Sequence, residues 1–142
     1  MKELVEKTVE PFYEVLEQKD VTLSVEAEDG LTVRANREQI EQLVTILMDN
    51  ASKYVSEHGS IVWKLGKNHK GVTFSVANTT EEDKIDTARL FDRFYRNDSS
   101  RSSKTGGHGI GLSIAKKIVD AHKGSIAAES EGNTVIFSGM IP

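Results

Sequence analysis

The stretch from Asn36 to about Val55 constrains this chain more than any other. Ile40, Leu43, Leu47, Ala51 and Tyr54 recur there every three or four residues, which sets them along one stripe of a helix roughly five turns long. Asn36, followed three residues on by Gln39, is a capping-box variant at its start. A helix that is apolar along one stripe must lie against a second layer. The flanking segments predict that layer. Val21, Leu23 and Val25 alternate with Thr22, Ser24 and Glu26, and Asp29-Gly30 predicts a turn into a short return strand over residues 31–33. Residues 61–65 and 72–76 predict a second hairpin across a turn from Gly66 to Gly71. Residues 125–130 and 134–141 predict a third, across Glu131-Gly132-Asn133.

Helical spacing returns elsewhere. Val5, Val9, Phe12 and Leu16 predict an amphipathic helix over residues 2–18, kinked or restarted at Pro11. Leu90, Phe91, Phe94 and Tyr95 predict a short aromatic helix. Ile114, Ala115, Ile118, Val119 and His122 form the apolar face of a last helix, with Gly124 expected as its C′ stop. Antiparallel strand pairs interspersed with helices argue for an α+β two-layer sandwich with helices on one face of a sheet.

The 142 residues suit a single domain spanning 1–142 with a genuine core. A net charge of -4 gives no global field for nucleic acid or an anionic membrane, so any anion site must come from local cations. The absence of cysteine excludes disulfides and thiolate metal sites, and fits a reducing compartment. No apolar run is long enough to span a bilayer, and residues 1–7 mix charges unlike a signal peptide.

Three constellations carry chemistry. Asn50, Lys53 and Tyr54 stand at i, i+3 and i+4 and share a helix face. An amide oxygen, an ammonium and an aromatic ring on one surface suit a nucleotide: Asn50 as one Mg²⁺ ligand, Lys53 against phosphate, Tyr54 beside base or sugar. The plain alternative is an ordinary helix end with Lys53 in water and Tyr54 in the core. The second is Gly107-His108-Gly109-Ile110-Gly111-Leu112-Ser113. Glycine at alternate positions admits close backbone approach, and the helix that follows points free N–H groups at whatever lies before it, a site for phosphate. Neither a P-loop nor a dinucleotide fingerprint matches this spacing; the alternative is a flexible linker. The third is the cation set Arg93, Arg96, Arg101 and Lys104 around the polar stretch 97–107, suited to closing over a triphosphate or, alternatively, a solvated surface.

Residues 47–54 (Leu-Met-Asp-Asn-Ala-Ser-Lys-Tyr), 90–96 (Leu-Phe-Asp-Arg-Phe-Tyr-Arg) and 107–115 (Gly-His-Gly-Ile-Gly-Leu-Ser-Ile-Ala) resemble, in order and interval, the asparagine, phenylalanine and second glycine boxes of the ATP-binding catalytic domain of bacterial sensor histidine kinases. That family sits in the superfamily of gyrase, chaperone and mismatch-repair ATPases. The closing segments 121–126 and 134–142 are similar too, so the resemblance covers essentially the whole chain. It implies a Bergerat-type fold: a mixed sheet of about five strands with helices on one face. It implies that ATP and Mg²⁺ bind, with Asn50 as the metal ligand, Lys53 and the backbone of Gly107, Gly109 and Gly111 at phosphate, and Tyr54 at adenine. His108, Ile110, Leu112, Arg96 and Lys104 would line the same site, residues 97–107 would be its lid, and Thr134 would stand near the adenine end.

Two departures stand out. In place of the family's Asp-x-Gly-x-Gly, the strand ending at Ala77 runs into Asn78-Thr79-Thr80, so the adenine amine would meet a neutral acceptor on Asn78. Ile46 occupies a position where many members carry a further asparagine. None of His58, His69, His108 and His122 lies in the His-Glu-x-x-x-x-Pro context of a phosphoacceptor, and His122 reads as a packed or capping residue. The resemblance therefore implies a protein histidine kinase catalytic domain that acts on a histidine of a separate dimerisation domain absent from this chain. It would do so within a two-component system and alongside a response regulator. The domain would be cytoplasmic, without direct contact to membrane or nucleic acid, within a membrane-anchored protein. A degenerate, non-catalytic regulatory domain and an anti-sigma-factor-type serine kinase are the alternatives.

Overall fold

In a computed structural model, the structure describes residues 1–80 and 111–142. Its first segment is helix α1 (Lys2–Val9), a 3-10 turn (Glu10–Phe12) and helix α2 (Tyr13–Gln18). Pro11 sits in the first turn of the 3-10 segment, so the expected break falls where the ring removes an N–H donor. Strand β1 (Thr22–Ala27), helix α3 (Arg37–Tyr54), strands β2 (Ser60–Asn68) and β3 (Gly71–Thr79), helix α4 (Gly111–Ala121) and strands β4 (Ser125–Glu131) and β5 (Thr134–Ile141) follow.

The five strands form one mixed sheet in the order β1-β2-β3-β5-β4, with β1 and β2 parallel and the other pairs antiparallel. Every second residue of the central strands points to one face: Ile61, Trp63 and Leu65, then Phe74 and Val76, then Val135 and Phe137 are all buried. Against this face lie Ile40, Leu43, Val44, Leu47, Met48 and Ala51 of α3, Val5 and Val9 of α1, and Ala115, Ile118 and Val119 of α4. The indole of Trp63 donates to the Met48 sulfur at 3.3 Å, so its one polar atom is satisfied in the core. This is the expected α+β two-layer sandwich.

One expected hairpin is not formed. Gly30 does turn, at φ 74°, but residues 31–33 do not pair with β1. β1 instead pairs in parallel with β2, from Thr22↔Ser60 to Ala27↔Leu65. Leu31 is buried, and Val33 and Ala35 pack against the core. The alternation at 31–35 therefore records side chains pressed under the helices, not a ladder. The terminal amine of Met1 donates to the Leu31 carbonyl at 2.9 Å and fastens this connection to the start of α1. A second correction concerns Gly66, which lies inside β2; the turn is only His69-Lys70, held by Asn68 Oδ1 accepting from the N–H groups of Lys70 and Gly71.

The end of α4 differs in detail from expectation. The left-handed residue is Lys123, at φ 60°, not Gly124. Lys123 N–H donates to Asp120 O at 3.0 Å and Gly124 N–H to Val119 O at 2.9 Å, which is a Schellman closure with lysine at C′. Gly124 is needed for another reason: a methyl group there would collide with the Met140 carbonyl of the neighbouring strand. Lys123→Gly should therefore raise stability by about 1 kcal/mol by removing a left-handed side chain. Gly124→Ala should lower it by about 1–3 kcal/mol. Urea unfolding of both variants measures these opposite signs.

Candidate functional site

The last turn of α3 presents Asn50, Lys53 and Tyr54, each half-buried, on one side of the helix. Lys53 is not free in water: its ammonium lies 3.0 Å from the Asp49 carboxylate, four residues back. The pair is substantially solvent-exposed, so it holds the lysine only loosely and a competing anion can draw it away. No hydrogen bond engages the Asn50 side chain among the described residues. Tyr54 stands outside the fully buried stripe that ends at Ala51.

The first residue of α4 lies against α3. A methyl group on Gly111 would come within 3.6 Å of Ile46 Cγ2, and Ile46 is one turn before Asn50. The start of α4 therefore lies against the middle of α3, one turn before Asn50. Leu112 packs against the core and orients the first turn of α4. At the far end of both helices, Asn36 caps α3 by accepting from Gln39 N–H at 3.0 Å. The reciprocal half of the box is supplied by His122, whose Nε2 accepts from Asn36 N–H at 3.1 Å, while Nδ1 lies 2.8 Å from Ile118 O. A carbonyl can only accept and an amide N–H can only donate, so His122 here is the neutral tautomer protonated on Nδ1. It ties the end of α4 to the beginning of α3, in keeping with the capping role read for it.

Asn78, at the end of β3, is only 2% exposed. Its Nδ2 donates to the Thr79 carbonyl at 3.1 Å. No donor reaches its Oδ1 among the described residues. A buried acceptor without a partner costs about 1–3 kcal/mol. Asn78 is paired across the sheet with Ile61 and Val135, and Thr134 stands one register step away, opposite Thr79. Arg96, Lys104, Gly107, His108, Gly109 and Ile110 lie outside the described residues, as do the phenylalanine box and the stretch 97–107.

Several supporting residues carried no sequence signal. The Lys19 ammonium donates to Ser52 O at 3.0 Å and so caps the last turn of α3 from another element. The turn Ser56–Gly59 is fastened to β3 through Thr79: Ser56 N–H donates to Thr79 O at 3.0 Å, the two hydroxyls are 2.8 Å apart, and Ser60 N–H donates to Thr79 Oγ1 at 3.1 Å. Nothing local in the sequence marks these long-range bonds. No group of three or more metal-ligating His, Asp or Glu side chains exists among the described residues.

The fold has known relatives. Residues 35–139 match the family described as histidine kinase-, DNA gyrase B- and HSP90-like ATPases. The chain belongs to that family. It is 34% identical to the sensor protein VanS of Enterococcus faecium over 139 residues, which is 98% of this chain and 36% of that protein. It is 42% identical over 102 residues to the signal transduction histidine-protein kinase ArlS of Staphylococcus epidermidis, covering 71% of this chain and 22% of the relative. The nucleotide-free catalytic domain of histidine kinase ThkA superposes with a TM-score of 0.86 at 29% identity, covering 100% of this chain and 91% of that one. ThkA in complex with the response regulator protein TrrA gives 0.81 at 27% identity, covering 100% and 40%. The chain thus spans about a third or less of the length of these curated relatives, and is an ATPase domain of the histidine kinase type.

One titrating pair links the turn after α3 to the residues that follow α2. His58 and Asp20, both with left-handed backbones at φ 63° and 58°, meet at 2.8 Å between His58 Nδ1 and Asp20 Oδ2. The hydrogen bond that His58 Nδ1 donates to the Asp20 carboxylate raises the His58 pKa above 6.5; desolvation opposes it, and the charges of Asp20 and Glu57 add to it. A raised folded pKa means that this stabilisation is present in full below the unfolded value. It is lost as pH rises through the folded value. His58→Asn, which tolerates the left-handed backbone, should flatten the fall in stability between about pH 6 and pH 8. Urea midpoints across that range provide the check.

Proposed function

We propose that this chain binds Mg-ATP where the end of α3, the end of β3 and the start of α4 converge, and donates the γ-phosphoryl group to a histidine on a separate dimerisation domain of a sensor kinase. The observation that carries the reading is the approach of Gly111 to Ile46, one turn from Asn50. It supports a reading in which the first turn of α4 faces the part of α3 that carries Asn50 and Lys53. The first turn of α4, with the glycines of the stretch 107–111, suits phosphate oxygens. Lys53 adds charge when it leaves Asp49. Asn50 would hold Mg²⁺, which takes few protein ligands and shares phosphate oxygens; once bound, the metal neutralises charge on the β- and γ-phosphates. The buried Asn78 oxygen accepts from the adenine amine, while Tyr54 and Thr134 flank the base end. Arg96, Lys104, His108, Ile110 and the stretch 97–107 complete the phosphate side.

Phosphoryl transfer demands position and charge more than covalent help from the protein. The α3–β3–α4 junction offers both, and the attacking imidazole comes from the partner domain. The cognate response regulator then takes the phosphoryl group. The whole protein is a membrane-anchored sensor with this domain in the cytoplasm; no helix among the described residues is long and apolar enough to cross a membrane.

Calorimetry with Mg-ATP should show Asn50→Ala weakening binding by about tenfold or more, against roughly three- to tenfold for Asn78→Ala. Equal losses would remove the metal assignment from Asn50. With labelled ATP the isolated chain should incorporate almost no phosphate, and addition of a histidine-bearing dimerisation domain should yield acid-labile label. Acid-stable label would point to a serine kinase instead.

A further inference from the structure

Asn78 poses a problem that a carboxylate does not. The two oxygens of an aspartate are equivalent, so either face of the group accepts. A carboxamide rotated by 180° exchanges an acceptor for a donor. Presented one way, it accepts from a purine bearing an amino group; presented the other, it donates to a purine bearing an oxo group. Base selectivity at this position depends on whatever fixes the amide.

We infer that Ser56, Gly59 and Thr79 form a positioning device that locks the Asn78 carboxamide with its oxygen toward the ligand, and so selects an amino-purine over an oxo-purine. This rests on the nucleotide-binding reading above. Asn78 Nδ2 donates to the Thr79 carbonyl at 3.1 Å, and the flipped amide would set oxygen against oxygen there. The Thr79 carbonyl is itself held, because Ser56 N–H donates to it at 3.0 Å. The Thr79 hydroxyl accepts from Ser60 N–H at 3.1 Å and lies 2.8 Å from the Ser56 hydroxyl. The next peptide is fixed as well, with Thr80 N–H donating to Asn133 O at 2.7 Å. Gly59 lets the Ser56 turn close on Thr79 at all: a methyl group there would overlap the Thr79 hydroxyl and press on Ser56. These are positioning residues, since they act on the ligand only through Asn78.

The test is calorimetric titration with Mg-ADP and Mg-GDP for the wild-type chain, Thr79→Ser, Thr79→Val and Gly59→Ala, with thermal melts to confirm folding. Wild type and Thr79→Ser, which keeps the hydroxyl, should prefer ADP to the same degree. Thr79→Val, which is isosteric and favourable in a strand, should lose ADP affinity by about three- to tenfold with little change for GDP, so the preference shrinks. Gly59→Ala should act in the same direction. A folded Thr79→Val variant with the wild-type preference, or one weakened equally toward both nucleotides, would overturn the inference while leaving the nucleotide site in place. Wild-type chain that binds neither nucleotide, or both alike, would overturn the underlying reading and the inference together.

Discussion

Burial of a single helical stripe organises this molecule. Ile40, Leu43, Val44, Leu47, Met48 and Ala51 of α3 sink into the inner face of the sheet, and α1 and α4 pack beside them. The remaining elements take their places relative to that helix. Its N-cap receives His122 from the end of α4, its middle receives Gly111 from the start of α4, and its last carbonyls receive Lys19 from beyond α2. The apolar contacts supply most of the stabilising free energy. The polar contacts at the two ends determine where the helix stops, and therefore where Asn50 and Lys53 stand.

Features determined by local chemistry were legible in the sequence. The Asn36–Gln39 cap, the break at Pro11, the second and third hairpins and the face of α4 depend on residues within a few positions of one another. Features that depend on distant partners were not. Leu31, Val33 and Ala35 alternate like a strand, but the core was already claiming their side chains, and β1 found its partner in β2 some forty residues on. Gly124 was expected to supply a left-handed backbone, and a neighbouring strand turned out to require its small size instead. Within the site, the triad on α3 was legible as one face, but the Asp49–Lys53 pair and the Ser56–Thr79 fastening were not. Their partners come from choices of rotamer or from residues more than twenty positions apart.

The departure at Asn78 also reads differently once the surroundings are known. Considered alone it is a weaker acceptor where a carboxylate is usual. In the folded chain its nitrogen has a fitted acceptor on Thr79, where a second carboxylate oxygen would meet a carbonyl. The neutral side chain is thus matched to its neighbours.

The bond through His122 has a mechanical meaning. α3 and α4 run in opposite directions, joined at one end through Asn36 and His122. α4 is about 16 Å long, from its eleven residues. With the tie as a fulcrum, a tilt of about five degrees moves the opposite tip by roughly 1.4 Å, half a hydrogen-bond length. The helices thus resemble the arms of a pair of tweezers, hinged where Asn36 meets His122.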